Sequence, residues 1–66
     1  MPGYRCYFLG LDGKIVEAEP VEADDELAAL LLCRHLFAER PQHTSFELWR
    51  DDRKLRTESR AAAAHR

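Results

Sequence analysis

Two cysteines and three histidines are the side chains of this sequence best suited to bind a transition metal. Cys33 and His35 lie two positions apart in a predicted helix, and a step of about 100° per residue directs them to opposite sides. Cys6 and Cys33 could meet in a core, but two thiols fall short of the four ligands of a structural zinc site. We therefore predict no metal and no cofactor, and interpret both cysteines as small apolar core residues.

The remaining catalytic residue types are poorly arranged for chemistry. His35 and Glu39 have the i, i+4 spacing of a helix surface pair, which is far more often a structural feature than an acid-base couple. His43 stands beside Thr44 and Ser45, but neighbours in sequence do not provide the geometry of a nucleophile and its base. No nucleophile motif surrounds them. No residue is therefore predicted to be catalytic, and the chain is not expected to be an enzyme.

A cluster of basic residues after the single tryptophan suggests a binding function. Aromatic side chains ringed by arginine can stack single-stranded bases while the cations hold phosphates. Such a surface would combine Tyr7 and Trp49 with the following basic residues: Arg5, Arg50, Arg53, Lys54 and Arg56. Acidic neighbours dilute this cluster and the net charge is -2, so nucleic-acid binding is kept as the alternative function.

Charge is distributed unevenly along the 66 residues. Residues 1–33 carry two basic and seven acidic side chains, a balance of -5, whereas residues 34–66 carry eight basic and five acidic ones, a balance of +3. The two halves should attract each other, within one fold or between subunits.

The longest apolar run, residues 27–33, is far shorter than the roughly 20 residues of a membrane span, so no membrane partner is expected. An N-terminus unlike a secretory signal and a chain with only two cysteines predict a cytoplasmic protein.

Two strands joined by a hairpin are predicted at the start of the chain. Residues 4–9 are rich in aromatic side chains and alternate between two faces, as a strand does. Asp12 and Gly13 follow, and an Asp-Gly pair between apolar runs is a strong hairpin signal because both residues tolerate a positive φ. The second strand should occupy residues 14–22. Pro20 marks a sheet edge, a bulge or the effective end of this strand, because proline has no N–H to donate.

A helix and a second hairpin are predicted to follow. Asp24 is a suitable N-cap, and the helix should run through residue 39 before Pro41 ends it. Residues 45–50 alternate clearly and form the third strand, whereas residues 53–57 predict a short, charged fourth strand at a sheet edge. The fold class is therefore α+β: one helix packed across a small, mainly antiparallel sheet, in the order β-β-α-β(-β).

The chain is long enough for a single domain. A domain of this size buries only about 60% of the surface that its unfolded chain exposes, so its core is marginal. Residues 1–57 are predicted to form this domain. Residues 58–66 are predicted to form a frayed tail, because so short a helix-permissive segment does not hold a helix alone.

A recognisable sequence pattern runs through about residues 4–56. It consists of these stretches: Tyr4-x-Cys6-Tyr7-Phe8-Leu9, Asp12-Gly13-x-Ile15, Ala38-Glu39-Arg40-Pro41 and Phe46-Glu47-Leu48-Trp49. This pattern resembles that of a group of short, uncharacterised bacterial proteins. The resemblance implies the same fold in a bacterial cytoplasm, and it implies no activity and no catalytic residue.

The predicted elements have more apolar surface than one such fold can hide. Large apolar side chains surround the helix on almost all sides, whereas a helix on a sheet needs an apolar stripe of about 100°. Alternation in the strands directs five residues towards the helix: Tyr4, Cys6, Phe8, Phe46 and Leu48. It leaves Tyr7, Leu9 and Trp49 on the opposite face, next to arginine, a combination typical of the centre of an interface. We therefore predict a protein-interaction or oligomerising module that associates through this face of the sheet or through the surplus apolar side of the helix, with these three residues as anchors. The simplest partner is a second copy of the chain in a homodimer, and another protein is the second possible partner. The alternative is a monomer in which the fourth strand, the tail and the stems of basic side chains cover these residues.

Overall fold

The chain forms one helix and a four-stranded sheet in a computed structural model that describes residues 3–59. The strands are β1 (Gly3–Leu9), β2 (Ile15–Glu22), β3 (Ser45–Arg50) and β4 (Arg53–Ser59), and the helix α1 (Glu26–Ala38) follows β2. Neighbouring strands are antiparallel, in the order β2-β1-β3-β4 across the sheet. The predicted α+β class is confirmed, and the chain order is β-β-α-β-β.

The helix covers one face of the sheet, and the hydrophobic core lies between the two layers. Each of the five strand residues predicted to face the helix is buried, as is Val21 of β2. Ala29, Leu30 and Cys33 close the core from the helix side. The largest fully buried side chains are Phe8, Phe46, Leu48, Cys6 and Cys33. Because this core is small, each large side chain in it carries a large share of the stability.

The two hairpin turns depend on residues that accept a positive φ. Gly13 has φ 79°, a conformation that costs glycine little and most other residues more. The prediction relied on the tolerance of both Asp12 and Gly13 for a positive φ, but of these two residues only Gly13 has one. Asp12 stabilises the turn through its side chain instead: its Oδ1 accepts a hydrogen bond from the Lys14 N–H at 3.0 Å. Between β3 and β4, Asp51 has φ 55°, which aspartate tolerates better than most side chains.

The helix begins one residue later than predicted. Asp25, not Asp24, is the N-cap: its backbone is extended and its Oδ1 accepts a hydrogen bond from the Ala28 N–H at 2.9 Å. Either aspartate has the chemistry of a cap, so local propensity does not choose between them. At the other end Glu39 is the C-cap, which agrees with the predicted end of the helix.

The two edge strands also differ from their predicted bounds. β2 begins at Ile15 rather than at residue 14, and its pairing with β1 contains a bulge between the Phe8–Glu17 and Leu9–Ile15 pairs. Pro20 lies in this edge strand, as predicted. β4 continues to Ser59 rather than ending at residue 57, so the first two residues of the predicted tail belong to the sheet. Residues 60–66 of that tail lie outside the described residues.

Glu58 is held in β4 by an ion pair with the helix. The Arg34 Nε donates a hydrogen bond to Glu58 Oε1 at 2.9 Å, and the Arg34 Nη2 donates to Oε2. These hydrogen bonds hold the pKa of the Glu58 carboxyl below its ordinary value, and the nearby charge of Arg56 acts in the same direction. Glu58, which lies beyond the predicted end of the fourth strand, is thus tied to the helix.

We predict that Glu58→Gln reduces the loss of stability in acid. A carboxyl whose pKa is lower in the folded state stabilises the fold above its unfolded pKa, and this contribution disappears as the pH falls through the folded pKa. The free energy of unfolding should therefore fall more steeply in the wild type than in the variant as the pH drops below the ordinary value of 4.5. Urea unfolding at about pH 6 and about pH 3 measures the difference.

The control for this prediction is Glu39→Gln, which removes a carboxyl from the exposed surface of the helix. This variant should keep the steeper acid dependence of the wild type, because the contact between Arg34 and Glu58 is intact. Equal pH dependence in the wild type and in Glu58→Gln would contradict the prediction.

Candidate interaction surface

The face of the sheet opposite the helix carries the three residues predicted to anchor an interface. Tyr7, Leu9 and Trp49 are half-buried and lie together on this face. The Tyr7 and Trp49 rings pack edge to face with their centroids 6.0 Å apart. The Trp49 Nε1 donates a hydrogen bond to Glu47 Oε1 at 3.0 Å, which orients the indole. The two aromatic rings therefore form a positioned pair at the centre of the face.

Three rows of side chains cross this face from β2 to β4. The strand register gives the rows as Pro20-Arg5-Trp49-Lys54, Ala18-Tyr7-Glu47-Thr57 and Ile15-Leu9-Ser45-Ser59. We call these residues the outer sheet face. Its β2 side is apolar, its centre is aromatic, and its β4 side is polar or basic. The helix of the described chain lies on the other face of the sheet, so no second layer formed by residues 3–59 covers the outer sheet face.

The structure divides the five basic residues of the nucleic-acid hypothesis between the two faces. Arg5 and Lys54 flank Trp49 in one row of the outer sheet face. The other three lie on the helix side of the sheet by their register: Arg50, Arg53 and Arg56. The Arg50 guanidinium carbon, for example, lies 5.6 Å from the centre of the buried Tyr4 ring. The single basic patch expected around Trp49 is therefore not formed, because alternation and a bulge in β4 distribute its members over both faces.

A second apolar surface lies on the outside of the helix. Leu27, Leu31 and Leu32 are 63%, 54% and 44% exposed. Leu31 and Leu32 also line a shallow groove with Ala23 and Ala28, between the helix and the loop that precedes it. The expectation that apolar residues lie on more than one side of the helix is confirmed. We call Leu27, Leu31 and Leu32 the helix surface.

A charged network at the edge of the core was not predicted. The Arg40 Nη1 donates to Glu17 Oε2 at 2.9 Å, and its Nη2 donates to Glu19 Oε2 at 3.0 Å. His43 is only 6% exposed, and its Nε2 lies 2.9 Å from Glu17 Oε1. The His43 ring stacks on Phe8 at 5.2 Å between centroids, and the Arg40 guanidinium carbon lies 5.1 Å from the centre of the same ring. The network ties the loop after the helix to strand β2, and it joins the acidic half of the chain to the basic half.

Metal-ligating side chains are scattered rather than grouped in the part of the chain that the structure describes. No three of its histidine, cysteine, aspartate and glutamate residues come together where they could hold a metal ion. The predicted helix surface pair is present, with His35 Nε2 at 3.3 Å from Glu39 Oε2.

No helix within residues 3–59 is long and apolar enough to cross a membrane. Comparisons of the chain with protein-family models, curated proteins and solved structures found no match.

Proposed function

We propose that this chain is a non-catalytic protein-interaction module of the bacterial cytoplasm that forms a homodimer through the outer sheet face. One observation carries the proposal: a positioned Tyr7–Trp49 pair, with apolar neighbours on β2, occupies the face of the sheet that the helix does not cover. Tryptophan and tyrosine are the residue types most often found to dominate binding energy at interfaces. Because Glu47 already orients the Trp49 indole, association would cost this side chain little further freedom.

A second copy of the chain is a partner that suits this surface. Two sheets that pack face to face align their strands to within about 30°, which would give an α-β-β-α arrangement of four layers. Each copy would cover the aromatic centre of the other. A chain of 66 residues has a marginal core on its own, and the dimer would enlarge it.

We expect sedimentation equilibrium of the full chain to show a dimer, and Trp49→Ala to raise its dissociation constant about 30-fold or more. This estimate corresponds to the loss of about 2 kcal/mol for truncating a hot-spot residue. Leu31→Ala is the matched control, because it removes an apolar side chain from the helix surface instead. It should leave the dissociation constant unchanged.

Two outcomes contradict this proposal. A chain that remains a monomer at high concentration would exclude self-association. A dimer that is weakened by Leu31→Ala and not by Trp49→Ala would place the interface on the helix surface. Far-UV circular dichroism of both variants verifies that each keeps the fold, so that a change in association is not a change in folding.

One observation favours nucleic acid as a second candidate partner: Arg5 and Lys54 stand on either side of Trp49. A single-stranded base could stack on the indole while the two cations contact phosphates. However, Glu47 is hydrogen-bonded to the same indole and places a negative charge beside it. Because Trp49 is the only tryptophan, its fluorescence reports directly on binding. Quenching by a single-stranded oligonucleotide at low salt, reversed by added salt, would favour this candidate over the homodimer.

A further inference from the structure

The two cysteines form a buried pair that the outer sheet face does not use. Cys6 lies in the middle of β1 on its helix side, and Cys33 lies on the face of α1 that packs against the sheet. Both are free thiols, and both are 0% exposed. One core therefore holds the only two cysteines of the chain, on two elements that are far apart in sequence.

The two thiols are neighbours in this core. A hydrogen bond between the side chains is the largest cause of two opposite shifts: it raises the pKa of the Cys6 thiol and lowers the pKa of the Cys33 thiol. Burial raises the pKa of both thiols, because a thiolate loses solvation in the core. Cys33 is therefore the more readily ionised member of the pair, supported by its neighbour as in other dithiol sites.

We propose that Cys6 and Cys33 are a redox-active pair that a hydroperoxide converts into a disulfide joining β1 to α1. In the first step the Cys33 thiolate attacks one peroxide oxygen, so that an S–O bond forms and the O–O bond breaks. The released hydroxide or alkoxide takes up a proton, and Cys33 becomes a sulfenic acid. The Cys6 sulfur then attacks the Cys33 sulfur, an S–S bond forms, and the S–O bond breaks to release water with the Cys6 proton. Two electrons pass from the two thiols to one peroxide.

Burial controls the rate of this reaction. Neither sulfur has exposed surface, so peroxide reaches Cys33 only when the helix separates locally from the sheet. The rate of oxidation should therefore increase several-fold in concentrations of urea that leave the chain mostly folded. The contrasting interpretation, in which both cysteines are only small apolar core residues, predicts no link between them under these conditions.

Intact-mass spectrometry of the full chain treated with hydrogen peroxide tests the proposal. We expect the monomer to lose about 2 Da, the mass of two hydrogens, and to react with no alkylating reagent after unfolding. A reductant should restore two alkylated cysteines, and a peptide map should locate the bond between the peptides that contain Cys6 and Cys33. The matched controls are Cys6→Ser and Cys33→Ser, in which the loss of mass should be absent.

Three results in the wild-type chain would overturn the proposal, and none depends on how well the variants fold. The first is that the cysteines gain oxygen without a bond forming between them. The second is that the chain forms a disulfide only with a second chain. The third is that both thiols remain fully alkylatable after exposure to peroxide in low urea. The result is independent of the proposed homodimer, because it concerns the core and not the outer sheet face.

Discussion

Leu48→Ala should lower the free energy of unfolding by about 2 to 5 kcal/mol, which is a large part of what a domain of this size has. Leu48 has no exposed surface and lies beside Cys6 in the register of β1 and β3. The substitution removes apolar surface that folding takes out of water. It also leaves a cavity that a small core has few side chains to refill. We expect the variant to be largely unfolded at low concentrations of urea.

The matched control for Leu48→Ala is the same substitution at Leu11. Leu11 lies in the turn between β1 and β2 and is 94% exposed, so Leu11→Ala should change stability by no more than about 0.5 kcal/mol. Urea unfolding followed by Trp49 fluorescence measures both variants. The experiment should use one low protein concentration, because association adds to apparent stability. If Leu48→Ala lowered the free energy of unfolding as little as Leu11→Ala is expected to do, Leu48 would not contribute to a core.

Local sequence signals were sufficient for the two central strands. In β3, Phe46 and Leu48 alternate with Glu47 and Trp49, and the structure buries the first two and leaves the others half-buried on the opposite face. Burial of one sheet face imposes this period of two, so the pattern is readable without knowledge of any partner strand. The same reasoning gave the outer position of Tyr7, and with it the centre of the candidate surface.

Boundaries set by distant contacts could not be predicted in this way. The last part of β4 is polar and shows no apolar alternation. Glu58 nevertheless belongs to the sheet and pairs with Arg34, which is 24 positions away in sequence. Likewise, Asp25 rather than Asp24 is the N-cap, although both aspartates have the chemistry of a cap. A local pattern carries the propensity for an element, and the contacts of the fold set where it ends.

The composition of the candidate surface was predictable only in part, for the same reason. The position of Trp49 follows from alternation within one strand, whereas the faces of Arg53, Lys54 and Arg56 depend on a turn and a bulge. A shift of one residue in register exchanges the two faces. This explains why the aromatic centre was predicted and the distribution of its basic neighbours was not.

Arg40→Ala is expected to lower the free energy of unfolding by about 2 kcal/mol or more, although arginine is usually a surface residue. The Arg40 side chain is 23% exposed and bonds to two carboxylates, those of Glu17 and Glu19. Its removal leaves two acids two positions apart on one face of β2, without the cation between them, and uncovers Phe8. Arg34→Ala is the control, because Arg34 is 48% exposed and its loss should cost much less.

A double variant separates the repulsion between the acids from the lost packing. If the two carboxylates repel each other once the cation is gone, Glu19→Gln should recover part of the stability of Arg40→Ala, whereas alone it should destabilise the wild type. Urea unfolding of the four proteins near neutral pH gives the coupling between Arg40 and Glu19. A coupling near zero would mean that the contact between Arg40 and Glu19 does not contribute to stability, and that the loss in Arg40→Ala comes from its other contacts, which include Glu17 and the Phe8 ring. A strong coupling would mean that an ion pair between the basic and acidic halves of the chain holds the loop between the helix and β3 against the edge strand β2. The uneven charge of the sequence predicts attraction between the two halves, and this experiment would assign it to Arg40 and Glu19.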